Sequence, residues 1–346
     1  MQTFQALLGT ELPVIQAPMA GSQASPLALA VCQAGGLGSL PVATLGAEGM
    51  VRELEAMRGG TDRPYNVNFF CHTPPASDPE LAGQWRARLA RYYVELGVDD
   101  AAPLVSRPRE PYSEALAASL ERFAPPIVSF HFGLPTSDQV ARIKRWGAKV
   151  ISSATTVEEA RWLEAHGADA VIAQGLEAGG HRGHFLSDDL SLQSGTFALV
   201  PRIVSAVNIP VIAAGGIADA RGVRAALALG AVAVQVGTAY LLTPEADTTP
   251  VHRAALLSAG SGQTALTNVI SGRPARTILN RLVREIGPMA EGVPAFPLAA
   301  SALAPLRAKA EARLSGDFSP LWAGQHVIRD RHLHAAALTH LLAGRS

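Results

Sequence analysis

Three glycines surround a single imidazole in the run Gly179-Gly180-His181-Arg182-Gly183. The run follows Ala-Val-Ile-Ala-Gln at 170–174, an apolar stretch with the length and composition of a buried strand. A histidine held at a strand's end by residues without side chains can approach a flat cofactor and a small substrate. Imidazole is also the side chain best suited to moving a proton near neutral pH. Two later apolar runs, at 211–214 and 232–236, end in Gly215-Gly216 and Gly237-Thr238. Bare backbone N–H groups in such loops, with the positive end of a following helix, make a cup for phosphate. Either glycine pair alone could equally be a tight turn. Their place on consecutive β–α loops favours the cup.

These groups need a scaffold, and the chain supplies a repeating one. Strands are expected at 14–19, 37–41, 65–70, 127–132, 149–153, 170–174, 211–214 and 232–236. Helices alternate with them. One covers 25–34, with Pro26 at its first position and Gly35-Gly36 past its end. Thr156 and Glu159 have capping-box spacing, and Gly167 ends the helix they open. Asp219 is placed to cap the helix between the last two strands. Gly147-Ala148, Gly167-Ala168 and Gly230-Ala231 each close a helix just before a strand, a weak internal repeat. Strands apolar along their whole length indicate a parallel sheet covered on both faces. Eight of them imply an α/β fold of the (β/α)8 TIM-barrel type, with an open doubly wound sheet as the alternative. The barrel is assigned to 1–243, with a helical insertion at about 71–126 (helices at 79–96 and 113–123). A smaller helical cap without clear strands follows at 244–320. Residues 321–346 return to the barrel, with 326–343 expected as one helix.

Catalytic groups in such barrels stand at the C-terminal ends of the strands. That rim would carry Pro18, Met19, Asn68, His131, Gln174, Gly179, Gly180, His181, Gly215, Gly216, Gly237 and Thr238. His131 lies within a strand and suits a core or a pocket equally. His181 and His184 have an i, i+3 spacing but no third ligand to match, so no metal site is expected. His326, His332, His334 and His340 fit a solvated helix face. Nothing near Cys71 marks it as a nucleophile. No nucleophile elbow or dinucleotide fingerprint stands in a strand–turn–helix context.

Composition bounds the partners. The chain has 346 residues, 48% hydrophobic, with a formal net charge of +0. That exceeds the ~250 residues typical of a bare barrel, which leaves room for a cap. The neutral balance argues against nucleic acid and anionic membranes as partners. Two widely separated cysteines, no basic-then-apolar leader and no apolar run of ~18 residues make a cytoplasmic protein the expectation.

The motifs as a set resemble the bacterial nitronate monooxygenases, formerly called 2-nitropropane dioxygenases. The resemblance rests on Gln16-Ala-Pro-Met-Ala-Gly21, Ala34-Gly-Gly-Leu-Gly-Ser39, Asn66-Val-Asn68, Glu177-Ala-Gly-Gly-His181, Ala213-Ala-Gly-Gly-Ile217, Gln235-Val-Gly-Thr238, Ser271-Gly-Arg-Pro-Ala-Arg276 and Leu321-Trp-Ala-Gly-Gln325. It covers nearly the whole chain, and the order of the motifs is more specific than any one of them. It implies a barrel with non-covalent FMN. Ala17, Pro18 and Met19 would lie near the flavin ring. Asn68, Gln174, Gly179, Gly180, Gly215, Gly216, Gln235, Val236, Gly237 and Thr238 would contact the cofactor, with the phosphate at Gly216, Gly237 and Thr238. His181 matches the family's catalytic histidine, and His131 a second pocket histidine. The reaction implied is the oxidation of an alkyl nitronate, such as propionate 3-nitronate, by dioxygen to a carbonyl product and nitrite, in a monomer or homodimer. The residues after Met19, Tyr240 where phenylalanine is common, and a lid at 291–314 without recognisable family residues depart from the pattern and leave substrate choice open. Flavin-dependent NAD(P)H:quinone and enoyl-thioester reductases share the expected fold. A non-catalytic barrel binding a phosphate ligand is the remaining alternative.

Overall fold

The computed structural model describes residues 3–99, 109–328 and 333–345. Part of the 71–126 excursion and His332 lie outside these residues. The barrel strands are β1 (Val14–Gln16), β2 (Gly38–Pro41), β3 (Tyr65–Phe70), β4 (Ile127–His131), β5 (Lys149–Ala154) and β6 (Ala170–Gln174). A two-residue strand, β7 (Gly180–His181), follows outside the barrel. Then come β8 (Val211–Ala214) and β9 (Ala233–Val236). All neighbouring barrel strands pair in parallel, in the order β1-β9-β8-β6-β5-β4-β3-β2. Closure is made by backbone bonds between the first and last in that order. Gln16 N–H donates to Leu37 O, and Leu37 N–H donates to Val14 O, both at 2.9 Å. The sheet is therefore a (β/α)8 barrel.

Branched apolar side chains fill its interior, among them Ile15, Ile127, Ile151, Ile172 and Ile212. Leu7 and Leu8 of the short helix Phe4–Leu8 plug the N-terminal end. A second layer of apolar side chains packs the strands against the surrounding helices. Both faces of each strand are thus buried, which is why the strands read as continuous apolar runs. Asp219 caps the helix Ala220–Ala228 as expected, accepting from Gly222 N–H at 2.9 Å.

The structure corrects three expectations. The stretch 244–320 is not without strands: β10 (Thr264–Thr267) and β11 (Ala275–Ile278) pair antiparallel there, and β7 joins β11 as the third strand of a small sheet. Strands of four residues containing Thr and Arg carry too little alternation to be read from periodicity. Residues 326–343 are not one helix. The terminal helix is Ala335–Leu342, while residues 321–328 run over the barrel mouth without regular structure. The capping box at 156–159 is only half formed. Thr156 accepts from Glu159 N–H, but the Glu159 carboxylate turns to Thr155 N–H at 2.7 Å and to Phe185 N–H at 2.6 Å.

The insertion helix Pro79–Leu96 packs its Trp85, Leu89, Tyr92 and Tyr93 against Val269, Leu282, Leu303 and Leu306. Trp85 Nε1–H donates to Ala299 O at 3.2 Å. The cap thus has an apolar core built from two distant parts of the chain. No helix among the described residues is long and apolar enough to cross a membrane.

Gly38 tests how closely the helix Ser25–Gln33 lies on β2. A Cβ there would stand 2.0 Å from the Ala28 carbonyl oxygen. Backbone on both sides leaves no flexible group to yield. Gly38→Ala is expected to lower unfolding stability by about 3 kcal/mol or more, at the upper end of overpacking costs, as measured by urea denaturation. An unchanged midpoint would show that the helix can move away from β2.

Candidate active site

A cavity of about 1290 Å³, its open mouth included, lies at the C-terminal ends of the barrel strands. Ala17, Pro18, Met19, Asn68, His131, Gln174, Gly179, Gly180, His181, Gly215, Gly216, Gln235, Gly237 and Thr238 all line it. Val236 does not: its side chain faces outward into the layer between strands and helices. Its carbonyl accepts from Ala17 N–H at 2.8 Å and so fixes the start of the Ala17–Met19 turn. The parallel register sets Gln174 beside Ala214 and Ala214 beside Gln235, so three adjacent strands end in one layer.

His181 stands at the junction of barrel and cap. Its backbone pairs with Ala275 of β11. Its carbonyl oxygen accepts from Gln174 Nε2–H at 3.0 Å and from the His131 ring at 3.1 Å. Gln174 Oε1 in turn accepts from Gly183 N–H at 2.8 Å, so one amide clamps both ends of the histidine turn. The bond to a carbonyl fixes the His131 tautomer. Nε2 carries the proton, and Nδ1 accepts from Ser153 Oγ–H at 2.5 Å. Both His131 nitrogens are therefore engaged by protein. Burial pushes the His131 pKa down to about 3.

The His181 ring is anchored at Nε2, 2.8 Å from Ser271 Oγ. Ser271 donates its hydroxyl to Arg273 O at 3.3 Å, so Nε2–H of His181 is the donor in the pair. The Nδ1 lone pair is then left without a protein partner among the described residues, on a ring that lines the cavity. Burial, followed by the positive charges of Arg109 and Arg273, holds the His181 pKa well below the ordinary histidine value. The ring is a neutral base. Phe296 and Trp322 pack around it, with ring centroids at 5.0 and 5.2 Å.

The other end of the cavity is built from backbone. Gly215 and Gly216 have φ of 117° and 70°, a conformation that side chains disfavour. Gly179 allows residues 323 and 324 to cross directly over it, since a Cβ there would meet Gly324 N at 2.5 Å. Gly324 N–H donates to Thr238 Oγ1 at 2.8 Å. His326, expected on a solvated helix face, instead stands at this end, with Nδ1 3.2 Å from Gly216 O. At the start of the helix after β8, Asp219 takes the Gly222 N–H. The Gly215-Gly216 loop is what faces inward.

His184 is buried, 3.4 Å from Asp188, and no group of three or more His, Cys, Asp or Glu among the described residues could hold a metal. Sequence reasoning missed Ser271, Trp322 and His326 as individual site residues, although Ser271 and Trp322 lie in motifs it singled out. It also missed Arg109, Phe70 and His252. Arg109 and His252 carry no sequence signal, since they reach the cavity from an irregular connection and from a cap helix, whereas Phe70 is the last residue of β3, a strand end that could have been read as rim.

Residues 2–343 match the sequence model of the family described as nitronate monooxygenase. The chain belongs to this family. It is 43% identical to a nitronate monooxygenase of Pseudomonas aeruginosa, over 98% of this chain and 97% of that protein. It is likewise 43% identical to one from Paraburkholderia phytofirmans, over 96% and 91%. In structure it resembles nitroalkane oxidase from Streptomyces ansochromogenes, with a TM-score of 0.89 and 40% identity over 97% of this chain and 96% of that one. FabK from Thermotoga maritima is more distant, with a TM-score of 0.73 and 28% identity over 99% and 96%. The protein is thus an enzyme of the nitronate monooxygenase kind.

Its buried histidines give this enzyme a predictable acid limit. Burial lowers His131 to about 3 and His72, His184 and His252 to about 4. Above the unfolded value of roughly 6.5 neither state is protonated, and these groups cost nothing. As pH falls below it, the unfolded chain binds protons that the folded chain refuses, and stability is lost until the folded values are reached. Urea unfolding at pH 5.5 should show roughly 1 kcal/mol less stability per buried histidine than at pH 7.5. A flat profile would show that these rings are protonated in the folded state.

Proposed function

We propose that the cavity holds FMN and that the enzyme oxidises alkyl nitronates with dioxygen to a carbonyl product and nitrite. The fit to the cofactor is supported by this chain's own residues. Gln235 Oε1 is buried on the cavity side without a hydrogen-bond partner. Such a group is costly unless a ligand satisfies it. Asn68 Nδ2–H is taken by Ser129, which leaves its Oδ1 without a protein partner among the described residues. Ala17, Pro18, Met19 and Ile172 offer an apolar wall to a flat ring. The Gly215-Gly216 loop, Gly237 and Thr238 would hold a terminal phosphate, with His326 beside them. When bound, the flavin supplies the redox chemistry, which no side chain here can provide.

The observation that carries the reading is the neutral His181, tethered at Nε2 with Nδ1 left as the lone-pair nitrogen. On a neutral nitroalkane Nδ1 can accept the α-proton. The Ser271 hydroxyl, relayed to the Arg273 carbonyl, then steadies the charge that develops on the ring. On a preformed nitronate no proton need move, and the ring serves to position the anion. His131 and Gln174 act through the His181 carbonyl as positioning groups. Phe70 lines the cavity and packs on Phe132 and Phe296, which gives the His181 ring an apolar flank.

The protein is expected to purify yellow, and flavin released by denaturation should chromatograph as FMN. Gly216→Asp adds a Cβ 3.3 Å from Glu177 Cβ and a negative charge beside the phosphate cup. It should yield soluble protein that retains no flavin. Full flavin occupancy in this variant would place the phosphate elsewhere.

His181→Asn separates the two substrate forms. Loss of a general base costs typically ~10² to 10⁴-fold. Turnover of neutral nitroalkanes should fall by that factor, with preformed nitronates much less affected and FMN retained. Because the His181 pKa is depressed, the wild-type rate on neutral nitroalkanes should hold as pH drops to about 6. Steady-state kinetics on both forms across pH measure this. Rapid anaerobic bleaching by NADH, with no turnover of either form, would make the protein a reductase instead.

A further inference from the structure

Arg109 is the only lysine or arginine among the described residues of the cavity wall, and no aspartate or glutamate stands there with it. It enters from the long connection between β3 and β4 and is half-buried. Its guanidinium lies 5.6 Å from the centroid of the Phe296 ring, and the His181 ring lies 5.0 Å from the same centroid. The cation and the base therefore flank one phenyl group. No carboxylate or hydrogen-bond acceptor among the described residues engages the Arg109 side chain. The charged group that acts on it is another cation, Arg307, and its own charge helps to keep His72 and His181 neutral. A desolvated guanidinium with no counter-ion is costly, and the cost is removed when an anion arrives. Its planar fork suits a carboxylate, which it can grip through two parallel hydrogen bonds.

That anion is not the cofactor's phosphate. The β3–β4 connection stands across the barrel from the loops after β8 and β9, where the glycine cup lies. We infer that Arg109 is the specificity residue of the substrate site, binding a carboxylate carried one to three carbons from the reacting carbon. Nitronates with such an acid tail are then favoured over plain alkyl nitronates. The inference rests on the nitronate reading above for the reaction, but the anion site itself does not depend on turnover.

The test uses the FMN-loaded protein and two non-reactive probes, succinate and butyrate. They share one carboxylate and a similar length, but only succinate carries a second charge. Wild type should bind succinate at least about tenfold more tightly, by titration calorimetry. Arg109→Met should erase that preference, and Arg109→Lys should restore part of it, with flavin content and thermal midpoint matching wild type in both. In turnover, the selectivity for propionate 3-nitronate over propyl 1-nitronate should fall roughly 10- to 100-fold in Arg109→Met, as expected for a lost charge-assisted hydrogen-bond pair. Equal losses on both nitronates would overturn the inference, because Arg109 would then be holding the nitronate group itself. Unchanged selectivity together with an unchanged succinate preference would also overturn it. If wild type prefers succinate but turns over neither nitronate, the anion site stands and the proposed reaction falls.

Discussion

The carbonyl oxygen of His181 accepts from two barrel side chains, His131 and Gln174, while the same residue pairs through its backbone with Ala275 in the cap. Its ring is then held by Ser271, also a cap residue. Barrel and cap therefore both hold this one amino acid. The barrel fixes where the main chain sits, and the cap fixes where the ring points. Catalytic geometry is lost with errors of about 1 Å. A ring held from two parts of the chain is placed accurately only when both are seated. The packing of Trp85, Tyr92 and Tyr93 into the cap core serves that accuracy from a distance.

Two isolated buried charges hold the same turn. Arg182 is fully buried and donates to Gln174 O, Gly175 O and Gln193 Oε1, at 2.7, 2.7 and 2.8 Å. Glu159 is equally buried and accepts from Thr155, Phe185 and Leu186. The two attract one another electrostatically without touching. A direct ion pair would have tied the two side chains together and left the loop free. Kept apart, each binds a different end of it. Arg182 draws the start of the turn onto the end of β6, and Glu159 holds its far side to the helix Val157–Ala165. Charge-assisted bonds to several backbone groups offset the desolvation that each charge suffers. The cavity wall likewise carries no carboxylate among its described residues, so an anionic guest meets no like charge there.

The barrel was legible in the sequence because parallel strands buried on both faces leave mostly apolar runs, cleanest in Val211–Ala214 and in the first four residues of β6, and because helices alternate with them. The glycine loops and His181 were legible because they follow such runs directly. What escaped reading depends on contacts distant in sequence. β10 and β11 are strands only because they pair with each other and with β7, and nothing in Thr-Ala-Leu-Thr announces a partner eight residues on. Glu159 has the right spacing for a capping box, but Phe185 and Leu186 compete for its carboxylate. The apolar period of Ala335–Leu342 seemed to extend backward through His326, whereas Gly324 and Gln325 are tied to Thr238 and Glu177 and hold that segment extended. Arg109 sits in a stretch with no period at all. Its meaning arises only from what the fold fails to place beside it.

The last of these ties has a consequence for how the cavity comes into being. Residues 323–326 cross the mouth at the glycine cup, where Gly179 lets the backbone pass within a distance that any side chain would forbid. Gln325 N–H reaches Glu177 O at 3.0 Å, and the His326 ring reaches Gly216 O. This end of the cavity is therefore complete only once the end of the chain has folded back over loops laid down far earlier. Through Thr277, which bridges to Trp322, this segment is continuous with β11, and β11 carries the backbone partner of His181. One short run of chain thus touches both the Gly216 end of the cavity and the strand that pairs with His181.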